Sequence, residues 1–444
     1  MKASSRNGIS EGRQEMQCDK KHSGYWKALF PIVLLVGLAP VSWAEDPNSF
    51  LDGLRRMEMH GFLEARTGIR TQRDPYEKDI SVMEVRLQGE FLKNMEWFEF
   101  KYKGDVWGDG ITQDGEYDTR EAWCFARPSD FLDVKIGRQV LTWGTGDLVF
   151  LNDLFPKDWQ SYFIGRDKEY LKAPSDVAKI SLFTELASLD MVYAPKFNPD
   201  RYVTGEYISY WNEDLDSLAG RNAIVVADKP DRWFEDDEAA VRIYSSIDSY
   251  ELALYGYWGF WKSPGGETTS GISIFPALNV YGGSVRGRIG PGIGNVELAY
   301  YQSADDEDGS NPRINNSEMR YLIGYTQDLA KDCNVSLQYY VEYMLDYSAY
   351  KANLKGGPVC DQDRHVVTVQ LTKLLMNQNL AMSLSGYYSP SDMDAYLRPT
   401  IHYKYTDKIT FEGGANIFLG SEPYTFFGQF ENDTNIYVAI RYSF

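Results

Sequence analysis

Polar and apolar residues alternate along many short runs of this chain. In one such run, Met83, Val85 and Leu87 share one face of an extended chain, whereas Glu84 and Arg86 share the other. Successive side chains of a β-strand point to opposite sides, so a period of two predicts strands with one apolar and one polar face. We therefore expect an all-β protein.

The runs are joined by tight and long connections in alternation. We count about eighteen runs, with about sixteen as the alternative, and find no repeat of fixed length of the kind that defines a solenoid or propeller. The long connections include residues 104–118 and 389–395, and the longest cover residues 141–176 and 195–238. The tight connections lie near Asn94, Pro128, Ala187, Ser249, Gly290, Ala330, Asn377 and Asp407. This layout predicts a single antiparallel up-and-down transmembrane β-barrel with short periplasmic turns and long extracellular loops.

The N-terminal part of the chain has a different pattern. A short apolar run at residues 28–39 follows several lysines and precedes Ser42-Trp43-Ala44, which has small residues at both ends. These features are typical of a secretory signal peptide over residues 1–44. Because the part before Met16 is long for a leader, Met16 is a candidate for the true start.

The rest of the chain is expected to divide into two parts. Residues 45–56 are predicted to be a short periplasmic segment, and residues 57–444 the barrel. After the leader, no apolar stretch is long enough for a transmembrane helix, so any insertion into a membrane must use strands.

The chain ends in an alternating strand with an aromatic last residue. Ile436, Val438 and Ile440 share a face with Tyr442 and Phe444. This ending resembles the assembly signal of Gram-negative outer-membrane proteins, in which the last strand closes the barrel and its aromatic residues lie at the membrane interface. A buried last strand of a soluble sandwich is the alternative, but the leader and the loop pattern favour the barrel in the bacterial outer membrane.

Composition and charge narrow the function classes. The chain has 32 Tyr, 22 Phe, 11 Trp and 38 Gly residues, yet its mean hydropathy is −0.42, as expected where only every second strand residue faces lipid. The leader has six basic and three acidic residues, which leaves a formal charge of about −22 and excludes a nucleic-acid partner. Cys124, Cys333 and Cys360 have no metal or haem spacing, so no cofactor or metal is expected.

One long segment, Val134–Gln160, looks most like a functional site. It leaves a strand, turns at Gly144 and Gly146, and then mixes charged with apolar residues. In porins, a loop that folds inward and carries charges of both signs narrows the lumen and selects solutes. The predicted pore constriction consists of Arg138, Asp147, Asp153, Lys157 and Asp158. The alternative is a folded surface loop in which Arg138 simply pairs with an aspartate.

The same segment carries a family resemblance. Gly137-Arg138-Gln139, followed by Trp143-Gly144 and an Asn/Pro/Asp cluster, looks like the early barrel segment of the porin-like class named for domain of unknown function 1302. More distantly, Gly-Arg-Gln is similar to alginate-export barrels. The resemblance covers about thirty residues plus the general layout. It implies a monomeric or homo-oligomeric barrel with a polar lumen, and no ligand can be carried over.

Charged residues on the polar faces of the strands are expected to line the lumen. The predicted lumen wall includes Glu84, Arg86, Glu99, Lys101, Arg242, Arg286, Glu297, Arg320 and Arg398. A negatively charged protein with such a wall is expected to prefer cations mildly. The expected partners are outer-membrane lipid and lipopolysaccharide, small solutes, and the barrel-assembly machinery, which would bind the C-terminal strand.

Three functions from different classes fit a barrel. A porin or channel for small hydrophilic solutes or ions needs only a polar, narrowed lumen. The alternative is a barrel sheath or export channel that works with a periplasmic partner, either in polysaccharide export or as an electron-transfer conduit. An outer-membrane enzyme is the third and least favoured, because His60, His365 and His402 have no neighbouring catalytic pattern. We therefore expect no enzyme.

Overall fold

A computed structural model of the protein describes residues 58–354 and 356–444. The predicted signal peptide, the candidate start at Met16 and the predicted periplasmic segment lie outside the described residues. Within them, eighteen strands form one large sheet. In chain order the strands are β1 (Glu58–Arg70), β2 (Ile80–Asn94), β3 (Glu99–Asp109), β4 (Asp114–Ser129), β5 (Leu132–Gln139), β6 (Ser175–Phe183), β7 (Ser188–Ala194), β8 (Glu238–Ile247), β9 (Tyr250–Phe260), β10 (Ala277–Ile289), β11 (Gly292–Ser303), β12 (Glu318–Ala330), β13 (Cys333–Met344), β14 (Asp363–Leu375), β15 (Leu380–Ser389), β16 (Asp394–Lys404), β17 (Ile409–Gly420) and β18 (Asn435–Ser443).

The sheet closes on itself. Each strand pairs antiparallel with the next in the chain, and β18 pairs with β1, so that Arg70 lies opposite Asn435 and Phe62 opposite Ser443. At the end of the chain, the backbone N–H of Phe444 donates to the carbonyl oxygen of Gly61 over 3.0 Å. The predicted closed, eighteen-strand up-and-down barrel is therefore confirmed.

The two faces of the wall differ in polarity and in burial. On β2, Val85 is 57% exposed, whereas the neighbouring Glu84 and Arg86 are 4% and 2% exposed. The apolar residues point outward, where no protein covers them, and the polar residues point into the barrel. On β18 the outward face carries Ile436, Val438, Ile440, Tyr442 and Phe444, all of them exposed. An apolar outer surface of this kind is typical of a membrane-spanning barrel.

The connections at the two ends of the barrel differ in length, but short and long connections alternate less regularly than expected. Residues 140–174 join β5 to β6, and residues 195–237 join β7 to β8. Two connections that were predicted to be long are short, since residues 110–113 join β3 to β4 and residues 390–393 join β15 to β16. In the first case Asp105 is fully buried and Val106 is 54% exposed, so the two-residue period continues through a stretch whose glycines and aspartates suggest a loop.

Several short elements lie in the loops. The helices are α1 (Trp159–Ile164) and α2 (Tyr347–Asn353), and 3-10 turns cover Lys168–Leu171 and Gly428–Asp433. Short strands cover Tyr210–Asn212, Ser217–Ala219, Ala227–Asp228, Gly266–Glu267 and Ser273–Ile274. Among the described residues, no helix combines the length and the apolar character that crossing a membrane requires.

The hydrophobic core lies inside the barrel. Residues 140–174, called the inner loop from here on, supply much of it and pack against inward-facing residues of the wall. Leu148, Leu151, Tyr162, Phe163 and Ile164 of this loop belong to one apolar cluster. Leu141, Trp143 and Phe155 belong to a second cluster, with Tyr255 and other residues of β6–β11. A polar-walled barrel thus gains its apolar packing from one inserted loop.

Candidate functional site

The first half of the inner loop, residues 140–158, turns at glycines and is held by one wall carboxylate. Gly144 has a φ of 75°, a conformation that glycine adopts at little cost. The next residue, Thr145, donates from its hydroxyl to Glu297 on β11 over 2.8 Å, and its backbone N–H donates to the same carboxylate. The Asn152 amide donates to the other oxygen of Glu297 over 2.7 Å. A single buried acid therefore accepts three hydrogen bonds from this half of the loop.

Uncharged groups hold the same half further along the wall. The hydroxyl of Tyr387 on β15 donates to the carbonyl oxygen of Leu148 over 3.2 Å, and that of Tyr301 on β11 donates to the carbonyl oxygen of Leu151. Trp143 packs edge-on against Phe155, with ring centroids 5.0 Å apart. This half of the loop thus lies along the inner face of the wall between β9 and β15.

The second half, residues 159–174, begins with helix α1. The Asp158 carboxylate accepts from the backbone N–H of Ser161 over 2.7 Å and so caps the helix. Gly165, with a φ of 92°, ends it against the ring of Tyr437, where a Cβ atom would lie only 2.4 Å from a ring carbon. Phe163 packs against Tyr396 and other aromatic residues of the wall. Helix α1 therefore rests on β16–β18.

Ion pairs hold the second half of the loop on the opposite side of the barrel. Arg166 lies 3.0 Å from Glu84 and 3.6 Å from Asp109, both nearly buried. Asp167 pairs with Arg441 on β18 over 2.8 Å. Burial alone would raise the pKa of Asp167, but Arg441 and the backbone N–H of Glu169 hold it below its ordinary value. The acid is therefore charged at neutral pH.

Arginines of the wall also bind the backbone of this half. Arg66 on β1 donates to the carbonyl oxygen of Gly165 over 2.7 Å, and Arg398 on β16 donates to that of Arg166 over 2.6 Å. Arg66 is itself paired with Glu64 and Glu412 at 3.0 and 2.8 Å. The ion pairs and the carbonyl contacts form one continuous network around the end of α1.

Two predicted constriction residues lie together. Asp153 and Lys157 form an ion pair of 3.2 Å, and they are 5% and 3% exposed. The ammonium group also donates to the carbonyl oxygen of Phe155 over 2.6 Å, and Thr142 donates to Asp153 over 2.8 Å. Asp158, which is next in sequence, caps α1 and lies 3.4 Å from Arg201. All three charges therefore have partners within the loops.

The other two predicted constriction residues lie elsewhere. Asp147 accepts a hydrogen bond from Ser336 on β13. Arg138, near the end of β5, lies 2.9 Å from Asp176 and 3.7 Å from Asp118. This pairing agrees with the alternative interpretation, in which Arg138 simply pairs with an aspartate. The five predicted residues therefore do not form one cluster.

The predicted wall residues fall into groups by location. Glu84, Arg86, Glu297 and Arg398 are buried beside the inner loop, and Arg320 lies partly exposed on β12. Lys101 bridges Glu90 and Glu121 at 3.1 Å each, and Arg242 pairs with Glu251 at 2.6 Å. Glu99 is half-buried and Arg286 is exposed. Of these residues, Glu84, Arg86, Glu297 and Arg398 are therefore the ones that lie directly beside the inner loop.

A cavity of about 360 Å³ lies between the inner loop and strands β10–β15. Its floor includes Leu148, Val149 and Phe150 of the loop. Its walls carry four cations and three carboxylates together with many aromatic rings. The charged lining residues are Lys157, Lys262, Arg320, Arg364, Asp153, Asp200 and Glu342. The space is large enough to admit a small solute.

Arg166, Glu342 and Arg364 are absent from the predicted site residues, although each lies at a central position. Glu342 and Arg364 continue the inward-facing period of β13 and β14, so strand alternation could have identified them. Arg166 lies in a loop without any period, and no sequence signal marks it. Its role depends on Glu84 and Asp109, which are distant in the sequence.

The comparisons with known proteins show the fold. A solved structure of OccAB3 from Acinetobacter baumannii is similar over 88% of this chain and 99% of that chain, at 11% identity and a TM-score of 0.54. Wzi from Escherichia coli, described as a carbohydrate-binding β-barrel, is similar over 89% and 86% of the two chains, at 11% identity and a TM-score of 0.48. A mutant Rh. blastica porin is similar over 87% and 100%, at 10% identity and a TM-score of 0.40.

No protein-family model matches the sequence, and no curated protein matches it either. The resemblance to the class named for domain of unknown function 1302 is therefore not confirmed. With the closed barrel and its apolar exterior, the structural likeness assigns the chain the fold of porin-like outer-membrane β-barrels.

Proposed function

We propose that the protein is an outer-membrane channel that passes small hydrophilic solutes or ions through a lumen narrowed by the inner loop. One observation carries this proposal. The loop is tied to Glu297 on β11 through Thr145 and to Glu84 on β2 through Arg166. Strands β2 and β11 are nine positions apart in a ring of eighteen, so the loop crosses from one side of the barrel to the other. A barrel of this size otherwise has room for an aqueous channel.

Selectivity is the second part of the proposal. The chain without its leader carries a formal charge of about −22, which favours cations at the mouth of the channel. We assign the constriction to the inner loop, with Asp147 and Asp153 as its acidic members and Lys157 and Arg138 as the opposing charges. The proposed outcome is a mild cation preference.

A non-enzymatic role is favoured by the surroundings of His365. Its two ring nitrogens lie 2.7 Å from Asp363 and 2.7 Å from the Tyr339 hydroxyl. The hydroxyl of the nearby Ser391 accepts from the backbone N–H of His365 over 2.9 Å. A serine hydrolase needs the serine hydroxyl on the imidazole ring, so this arrangement supports a channel better than a hydrolase.

Planar-bilayer recordings of the refolded protein test the proposal. We expect discrete conductance steps, and under a salt gradient we expect a reversal potential that indicates mild cation preference. The double variant Asp147→Asn with Asp153→Asn should reduce that preference. A silent barrel, or clear anion selectivity, contradicts the proposal.

A matched control removes the same charge far from the inner loop. Asp407 is exposed and Asp332 is half-buried, and both lie in short turns at the other end of the barrel. The variant Asp332→Asn with Asp407→Asn should therefore shift the reversal potential less than the variant in the loop. Equal shifts would show that overall charge, rather than the inner loop, sets the selectivity.

A further inference from the structure

The cavity above the inner loop has one apolar side and one polar side. Phe150 and Trp159 of the loop are half-buried, with ring centroids 6.1 Å apart, and they line its floor. Phe426, which is 45% exposed, lines the same space. The volume of about 360 Å³ is near the lower end of the range for ligand pockets. Such a space suits a small solute with an apolar face.

The polar side is a row of alternating charges across three strands. Arg320 on β12 lies opposite Glu342 on β13, which lies opposite Arg364 on β14. Neighbouring strands are about 4.8 Å apart, so the row offers a donor, an acceptor and a donor at that spacing. Within the described residues, Nη1 of Arg320 and Nη2 of Arg364 make no hydrogen bond in the protein.

A further donor lies beside this row. Trp261 lines the cavity, is 7% exposed, and its indole N–H has no hydrogen-bond partner among the described residues. Its ring lies 5.8 Å from that of Tyr301. A buried N–H without an acceptor is costly, and an oxygen of a bound solute would satisfy it.

The cations at the cavity are already paired with protein carboxylates, and the lining acid Asp200 accepts from the backbone N–H of Lys157 and from the Ser263 hydroxyl. Each cation has a carboxylate partner, so none is left for an anionic solute. The pairs are Arg320 with Glu318, Arg364 with Glu342 and Asp392, Lys157 with Asp153, and Lys262 with Glu238. Cations also lie over aromatic rings, with Arg320 4.0 Å from the Tyr301 ring and Arg364 4.7 Å from the Phe426 ring. Those ring faces are therefore not free for a cationic solute.

We propose that this cavity binds a neutral saccharide of one or two rings. Hydroxyl groups both donate and accept, which matches the alternating row of Arg320, Glu342 and Arg364. The C–H face of a sugar ring would lie on Phe150 and Trp159. The proposal rests on the channel function and names its solute class.

Ligand titrations of the detergent-solubilised protein test this inference. The probes are sucrose and maltose as neutral saccharides, benzoate as an aromatic anion, and choline as an organic cation, each followed by calorimetry up to about 100 mM. We expect at least one disaccharide to bind at least about tenfold more tightly than benzoate or choline. Saturable binding of benzoate or choline in preference to both sugars overturns the proposal, as does the absence of sugar binding.

Two variants and a control locate the site. Glu342→Gln removes the acid between the two arginines, so sugar affinity should fall about tenfold and benzoate binding should increase. Trp261→Phe keeps an aromatic ring but removes the N–H, and should weaken the sugar by a smaller factor. Glu251→Gln breaks a similar pair, with Arg242, away from the cavity and should change neither affinity. Equal effects of Glu342→Gln and Glu251→Gln would contradict the location.

Conductance recordings of the same preparations separate this inference from the channel proposal. In the wild type, the bound disaccharide should reduce the ion current. If the barrel conducts but the sugars do not change the current, the channel proposal stands and the proposed solute class is wrong. If the sugar binds but the barrel does not conduct, the saccharide site stands and the channel proposal is wrong.

Discussion

Residues 140–158 of the inner loop are held on the wall by separate hydrogen bonds, whereas residues 159–174 are held by a shared network of ion pairs. In the first half, Glu297 is the single wall acid that accepts several loop donors. In the second half, Arg166 shares Glu84 with Arg86, and Asp167 shares Arg441 with Glu64.

The difference indicates which half of the loop can move. A buried ion network is hard to dissolve in part, because removing one member leaves its partner charged and buried. Hydrogen bonds in which the loop donor is neutral are individually weaker than a buried ion pair, and their donors can be exchanged for water one at a time. We infer that the second half fixes the loop to the wall, while the first half, which forms the floor of the cavity, can adjust to a solute.

The largest effect is expected from Arg166→Ala. This change leaves Glu84 and Asp109 buried with one cation fewer, and breaking such a pair costs about 3 to 5 kcal/mol. Denaturant unfolding of the refolded barrel should show a loss of this size. Arg127→Ala is the control, because Arg127 pairs with Asp133 at the surface, and no measurable change is expected. A small effect of Arg166→Ala would remove the distinction between the two halves.

A smaller effect is expected from Glu297→Ala. The change removes the acceptor of the Thr145 and Asn152 donors, and we expect a cost of about 1 to 3 kcal/mol. Because this half should detach without the other, single-channel conductance should rise. Glu251→Ala, on an exposed pair with Arg242, should leave the conductance unchanged. An unaltered conductance in Glu297→Ala would argue against a movable first half.

The smallest expected effect is a pH dependence of local stability near residues 159–174, the half of the inner loop that is fixed to the wall. Asp433 and Asp74 both lie within hydrogen-bond distance of the Ser209 hydroxyl, at 3.1 and 2.6 Å, and Arg70 lies 2.8 Å from Asp433. The Ser209 hydroxyl has one proton and can donate to only one of the two carboxylates at a time. Burial and the charge of Asp74 raise the pKa of Asp433 to about 8, against the effect of Arg70.

The sign of this dependence follows from the raised pKa. The folded protein holds the proton more tightly than the unfolded chain, so the contribution to stability is full below the ordinary pKa and is lost as the pH rises through about 8. Hydrogen exchange of residues 205–211 and 428–434, corrected for intrinsic rates, should accelerate as the pH rises from about 4 to about 8 and level off above that. Asp433→Asn keeps a neutral side chain and should abolish the acceleration. Its persistence in that variant would assign it to another group.

Strand positions were predictable because the two faces of the wall meet different surroundings. On β2 the exposed Val85 alternates with the buried Glu84, and on β18 the exposed Val438 alternates with the buried Tyr437. Because the outer face is uncovered and the inner face is covered, apolar and polar residues alternate in the sequence with a period of two. The same rule fails at residues 104–118. Glycine and aspartate there are compatible with both a loop and an extended ladder, so the sequence did not distinguish them.

The partners of the inner-loop residues were not predictable. Asp153 and Lys157 are four residues apart and pair locally, whereas Arg138 pairs with Asp118 and Asp176 rather than with the acids of its own segment. Asp158 looks like a free charge in the sequence but caps a six-residue helix. Charges in a loop without any period can pair with any strand, so spacing carries no information about them.

The sequence by itself indicated the barrel, an approximate number of strands and the side of each strand that faces outward, because these depend on alternation and on turns between neighbours in the chain. The tertiary structure alone decided that the inner loop contacts strands as far apart as β2 and β11, that Arg166 joins it to β2 and β3, and that Arg320, Glu342 and Arg364 form one row. These contacts join residues far apart in the chain, and only closure of the barrel brings them within a few ångströms of one another.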